Sequence, residues 1–233
     1  ALNGPMVEAL DAALRASETD EDLRVILVRG EGPDFCAGAD LEELETTTSK
    51  GPEASLAEAR RLGALFIRMR RHPRPIVAAV HGRALAGGCG LATACDLVLS
   101  HEDAQFGYPE VRLGFVPAMV MAILRQKLTE STAFELVTMG DRIPATEALR
   151  IGLVNRIFPR ASFELSVEGF VRDLASRPGE AIKLTKGLLY EMAELGFPEG
   201  IERGAQVNVQ ARETEDCRAG VQAFLRKRRG PTS

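Results

Sequence analysis

Ile76-Val77-Ala78-Ala79-Val80-His81-Gly82-Arg83-Ala84-Leu85-Ala86-Gly87-Gly88-Cys89-Gly90 is the stretch that decides how the chain is read. Its first five residues are an unbroken apolar run, the pattern of a strand covered on both faces. Small residues follow, and residues 87–94 are compatible with a tightly packed helix. Residues 96–100 read as another short strand. The same order occurs upstream. Residues 25–28 form a second apolar run and 30–40 a Gly/Pro loop. Leu62, Leu65, Phe66 and Met69 then recur at helical spacing along a long helix that Pro73 and Pro75 stop. Strand, loop and helix alternate to about residue 115, which predicts an α/β fold with parallel strands.

At the start, Asn3-Gly4-Pro5 reads as a helix opening with Pro5 at the first helical position, followed by the apolar stripe Met6, Leu10, Ala13 and Leu14. A polar linker spans 18–22. From Pro117 onward the pattern turns helical. Helices are expected at 131–139, 145–151, 162–176, 179–195, 198–212 and from about 216 to 227, with one strand at 153–157. That shift divides the chain into an α/β core over 1–160 and a helical region over 161–233.

The 233 residues are 45% hydrophobic and 27% charged, as in ordinary globular proteins. With 29 Lys+Arg against 33 Asp+Glu the net charge is −4. A global attraction to nucleic acid or anionic membrane is not indicated. No apolar stretch is long enough for a transmembrane helix, and no signal peptide is visible. Cys36, Cys89, Cys95 and Cys217 are scattered and apart from the three histidines, so neither a disulfide framework nor a metal site is expected. A reducing, cytoplasmic location follows.

Three segments carry candidate chemistry. Phe35-Cys36-Ala37-Gly38-Ala39-Asp40-Leu41 follows a strand, and its small residues let backbone approach a ligand ahead of a helix starting near Asp40. His81 to Gly90 has the same character. It lacks the Gly-Lys-Ser/Thr of a P-loop and the third glycine of a dinucleotide turn. Two such turns after two strands can offer converging N–H donors to an oxyanion. In Phe106-Gly107-Tyr108-Pro109-Glu110-Val111-Arg112-Leu113-Gly114, Glu110 is a lone acid in an apolar setting, suited to moving protons. His81 has no triad partner, Asp96 is expected to cap or pair, and Cys89 and Cys95 to fill the core.

These three motifs in this order resemble the crotonase, or enoyl-CoA hydratase/isomerase, family. So do Thr138-Met139-Gly140-Asp141-Arg142-Ile143, Ala145, Ala148 and Gly152-Leu153-Val154, and later Glu213, Asp216, Gly220 and Ala223-Phe224. The resemblance covers essentially the whole chain. It implies a spiral of ββα units with a helical C-terminal trimerisation region, hence a homotrimer or dimer of trimers. The family's opening β-hairpin is missing, which is expected to reflect truncation, since loss would leave a sheet edge unpaired.

The resemblance also implies roles. The N–H groups of Ala39 and Gly87 would hold the thioester oxygen of an acyl-CoA, with Glu110 as the acid/base. Ala37, Asp40, Leu41, Gly88, Gly90, Tyr108 and Pro109 would contact substrate, Ala37 and Leu41 beside the adenine of CoA. No cofactor is implied beyond the CoA carried by the substrate. The first of the family's two hydratase glutamates falls at Gly90, which has no side chain. Isomerisation of a 3-enoyl to a 2-enoyl thioester needs only one base, so Gly90 favours it on mechanism. The surrounding motifs look more like bacterial hydratases of the methylglutaconyl-CoA hydratase-like subgroup, in branched-chain or fatty-acid breakdown. Enoyl-CoA hydratase is the expected function. Isomerase, or a non-catalytic acyl-CoA- or RNA-binding homologue, is the alternative. For RNA the case is weak: the basic run 226–229 comes with no Trp and two Tyr.

Overall fold

The computed structural model describes residues 1–229. Helix α1 (Gly4–Ser17) is capped by Asn3, whose Oδ1 accepts from the Met6 N–H at 3.0 Å. Strand β1 (Ile26–Arg29), helices α2 (Leu41–Ser49) and α3 (Pro52–Arg71), strands β2 (Ile76–Val80) and β3 (Arg83–Leu85), and helix α4 (Gly87–Ala94) follow. Next come β4 (Leu97–His101), β5 (Gln105–Gly107), a 3₁₀ turn (Pro109–Leu113), α5 (Ala118–Lys127) and α6 (Glu130–Met139). The series β6 (Ile143–Pro144), α7 (Ala145–Arg150) and β7 (Arg156–Phe158) leads to α8 (Phe163–Ala175), α9 (Gly179–Glu191), α10 (Phe197–Arg212) and α11 (Glu215–Arg229).

The strands form two sheets. The larger runs β1-β2-β4-β7 and is parallel throughout, with Ile26 beside Ile76, Val77 beside Leu97 and Leu99 beside Arg156. The smaller runs β3-β5-β6, parallel and then antiparallel. Each turn of chain gives one strand to the large sheet, one to the small sheet and then a helix: β2-β3-α4, then β4-β5-α5. Cys36, bridged to Ala84, stands in for the small-sheet strand of the turn that starts with β1. The chain is therefore a spiral of ββα turns.

Apolar runs make the large sheet because both its faces are covered. All five residues of β2 are buried. On one side Ile76, Ala78 and Val80 join the main core with Leu65, Phe66 and Met69 of α3. On the other, Val77, Ala79 and Leu99 pack on Phe163 and Val167 of α8. The helical region after residue 160 thus begins by closing the sheet.

Several sequence expectations shift. The small sheet is not foreseen, because strands of three residues carry no readable period. The strand expected at 153–157 forms at Arg156–Phe158, while Leu153 and Val154 are buried in the turn after α7. The helix expected at 179–195 ends at Glu191 and passes into a 3₁₀ turn, Met192–Glu194. Among the described residues no helix is long and apolar enough to cross a membrane.

Candidate active site

Two backbone turns meet at the top of the small sheet. The Leu85 N–H donates to the Cys36 carbonyl at 3.0 Å, and the Cys36 N–H to the Arg83 carbonyl at 3.0 Å. This pairing brings the segment before α2 against the segment before α4. Contact is close enough to require glycine. A Cβ on Gly88 would lie 2.2 Å from the Cys36 carbonyl oxygen, and one on Gly38, whose φ is +113°, would lie 3.0 Å from the Ala86 Cβ. Ala86 itself holds φ 50°, the one non-glycine residue with positive φ among the described residues. That conformation stores strain at the point where β3 turns into α4.

The two expected donors flank this junction. Among the described residues neither the Ala39 N–H nor the Gly87 N–H donates a hydrogen bond. Gly87 is the first residue of α4, so its N–H is one of those a helix cannot satisfy internally. Leu2 pins the first turn by donating its N–H to the Gly38 carbonyl at 2.8 Å, and its Cδ1 lies 4.0 Å from where a Gly87 Cβ would stand. A Cβ on Gly87 would meet nothing nearer.

Glu110 lies in the 3₁₀ turn Pro109–Leu113, which Gly114 ends in a left-handed conformation. It is half-buried. Its Oε2 is buried with no hydrogen-bond partner among the described residues. Burial raises its pKa above the ordinary carboxylate value, against a smaller lowering by its own backbone N–H. An unpartnered carboxylate oxygen whose burial favours the protonated form can both take and return a proton.

Gly90 shows what fills the space of the absent side chain. A Cβ there would lie 2.5 Å from Val120 Cγ1 and 3.3 Å from Phe66 Cζ. The position is occupied by neighbours on α5 and α3 and does not open toward solvent. Nothing in a single sequence links residues 66, 90 and 120, so this contact was not legible beforehand.

The other candidate residues divide. Ala37 is exposed beside Gly38, and Pro109 is half-buried at the start of the 3₁₀ turn. Asp40 caps α2: its Oδ1 accepts from the N–H groups of Glu42 and Glu43 at 3.1 and 3.3 Å. The side chain of Leu41 lies outside the described residues. Tyr108, expected to touch substrate, is instead wholly buried, and its hydroxyl lies 3.0 Å from Thr93 Oγ1. A large apolar ring one residue beyond β5 gains more by filling the core under α4 than by lining open space, so it supports the site from below. Burial pushes the Cys89 and Cys95 thiols up to about 12, which leaves them protonated core residues.

Asp96 forms a cluster that joins the helical region to the sheet. Its Oδ2 accepts from the Ile76 N–H at 2.6 Å and from Lys186 Nζ at 2.8 Å; its Oδ1 accepts from the Tyr190 hydroxyl at 2.6 Å. Lys186 also donates to the Met69 and Arg74 carbonyls, each at 3.0 Å. Among the described residues no cluster of His, Cys, Asp and Glu could hold a metal ion.

A family model described as enoyl-CoA hydratase/isomerase matches residues 1–231. The chain belongs to the enoyl-CoA hydratase/isomerase family. Within the family, a protein of Thermus thermophilus provisionally named enoyl-CoA hydratase is 40% identical over 227 residues, 97% of this chain and 90% of that one. The 2,3-dehydroadipyl-CoA hydratase of Escherichia coli is 34% identical over 233 residues, 98% of this chain and 88% of that one. A crystal structure of enoyl-CoA hydratase from Mycobacterium smegmatis superposes with a TM-score of 0.93 at 28% identity, covering 97% of this chain and 88% of that one. The spiral of ββα turns is the crotonase fold of the family.

Proposed function

We propose that the protein is an enoyl-CoA hydratase in which the Ala39 and Gly87 N–H groups hold the thioester oxygen and Glu110 moves the protons. The observation that carries this reading is the Glu110 carboxylate, half-buried, with one oxygen unpartnered and its pKa raised. Its single-carboxylate chemistry balances. Glu110 takes a proton from water as the water oxygen bonds to C3. The C2–C3 π pair shifts toward C1, and the thioester carbonyl pair moves onto its oxygen, where two N–H dipoles meet the new charge. Glu110 then returns the proton to C2 and the thioester re-forms. The free N–H at the start of α4 adds the positive end of a short helix to the same place.

The same reading includes CoA contacts from Ala37, Asp40 and Leu41, with Gly88 and Pro109 shaping the reacting end. CoA arrives with the substrate and no further cofactor takes part. Phe197 and Ile201 of α10 and Phe224 of α11 are exposed apolar side chains suited to an interface between copies, and a homotrimer or dimer of trimers uses them. Free cysteines fit a reducing compartment such as the cytoplasm. Breakdown of fatty or branched-chain acyl groups is the corresponding role.

Gly90 favours a second reading, 3-enoyl to 2-enoyl isomerisation, which needs one base alone. Crotonyl-CoA and a 3-enoyl-CoA distinguish the two. Hydration removes the conjugated absorbance of crotonyl-CoA with a mass gain of one water. Isomerisation creates that absorbance from the 3-enoyl thioester at constant mass. A protein inert toward crotonyl-CoA and active on the 3-enoyl thioester overturns the hydratase reading.

A further inference from the structure

A cavity of about 650 Å³ opens between α3, α5 and α9, with Gly63, Phe66, Met119 and Ile123 forming its apolar wall. The ring of Phe66 separates it from Gly90, one turn into α4 and about 4.5 Å along the axis from the Gly87 donor. For an acyl chain to run from the thioester along α4 into the cavity, the Phe66 ring that lies between them must turn aside.

The far wall changes character. Arg70 lies one turn after Phe66 on the same face of α3 and lines the cavity. Its guanidinium sits 3.8 Å from the centre of the Tyr190 ring, and the Tyr190 hydroxyl is anchored on Asp96 at 2.6 Å. Arg70 donates to the Gln126 side chain and makes no ion pair among the described residues. A guanidinium held over an aromatic ring by its central carbon keeps N–H groups available for the two-pronged grip that suits a carboxylate. Arg71 adds a second charge to the same wall. Of the two carboxylates at the rim, Glu191 is already bound by Arg203 at 2.8 Å, which leaves Glu194 against two arginines. A half-buried cation without a carboxylate partner at the end of an apolar cavity fits a ligand that is apolar along its length and anionic at its tip.

We propose that this cavity takes the distal part of the acyl chain and that Arg70 binds a carboxylate at its end, so that the preferred substrates are thioesters of dicarboxylic acids. The inference rests on the proposed function for its thioester end only; the selectivity it asserts is one of binding.

Two measurements keep the two apart. Calorimetry compares adipyl-CoA with hexanoyl-CoA, equal in length and differing in the terminal carboxylate, on the unaltered protein and on Arg70→Met and Arg70→Lys. We expect adipyl-CoA to bind at least about 10-fold tighter to the unaltered protein. Arg70→Met should bring the ratio near one, and Arg70→Lys should recover it in part, since a site built to pair a polar group discriminates strongly against a ligand lacking it. Turnover of 2,3-dehydroadipyl-CoA against 2-hexenoyl-CoA gives the second ratio. Equal binding of the two saturated thioesters, or a binding preference that survives Arg70→Met, overturns the inference whatever the turnover. A binding preference lost in Arg70→Met, with no hydration of either enoyl thioester, overturns the hydratase reading and leaves the inference standing.

Discussion

Val120 stands in the place that a side chain at Gly90 would take: its Cγ1 is 2.5 Å from the position of a Cβ there. A missing carboxylate and an added apolar contact are thus one feature. Supplying the acid alone is expected to fail, because α4 is buried from Gly88 to Ala94 and has no room to shift outward. Gly90→Ala should cost about 1–3 kcal/mol of stability, and Gly90→Glu more, with hydration reduced. Gly90→Glu combined with Val120→Ala should recover part of the melting temperature. Thermal melts of the four proteins check this coupling, and a stable, faster Gly90→Glu single variant would contradict it.

Glu110→Gln keeps the shape of the turn and removes the exchangeable proton. Turnover should fall by roughly 10²–10⁴ with acyl-CoA affinity little changed. A stability effect of opposite sign should accompany it. Because burial raises the carboxyl pKa in the folded protein, the folded state favours the protonated form. The stabilising share is full below the ordinary carboxylate pKa and is lost as pH rises through the raised value. Near neutral pH the ionised group is therefore a cost, so Glu110→Gln should melt higher than the unaltered protein at pH 8, with a smaller gap in acid. Melting curves at the two pH values test the sign.

Gly87 offers a contrast between two substitutions. Its Cβ position is open to 4.0 Å, so Gly87→Ala should fold and keep its N–H. Proline is accepted at the first position of a helix, so Gly87→Pro should fold while losing the N–H. Turnover of the alanine variant should stay close to normal. That of the proline variant should fall on the order of 10²–10³, the usual cost of one oxyanion donor. Equal activity in the two would remove the Gly87 N–H from the chemistry.

Ala86 carries φ 50° immediately before that donor. Glycine adopts such angles without strain, so Ala86→Gly should be more stable by about 1 kcal/mol, the relief exceeding the entropy gained by the unfolded chain. Chemical denaturation measures the difference. A less stable variant would mean that the Ala86 methyl group, packed toward Gly38, contributes more than the strain costs.

What was legible in the chain follows from how local each signal is. Continuous apolar runs at 25–28 and 76–80 marked strands covered on both sides, and β1 and β2 formed there in parallel register. The helix stripe Leu65, Phe66 and Met69 is buried as its spacing required. The small sheet stayed hidden because Arg83–Leu85 and Gln105–Gly107 are held by partners distant in sequence. In the same way the motif around Glu110 was readable from its neighbours. The burial of Tyr108, the filling of the Gly90 position and the grip of Asp96 on Lys186 and Tyr190 each depend on contacts across many residues, and no periodicity announces them.

That last grip has a consequence for how the protein comes apart. Asp96 holds the first N–H of the central strand with the same carboxylate oxygen that Lys186 reaches from α9. If α9 peeled away alone, a carboxylate only 13% exposed would lose its cation beside the sheet, a loss of about 3–5 kcal/mol when a buried pair is broken on one side. Opening of the helical region and melting of β2 are therefore one event. In native-state hydrogen exchange the slow amides of α9 and β2 should share one opening free energy, while α1 and the exposed end of α11 exchange through smaller motions.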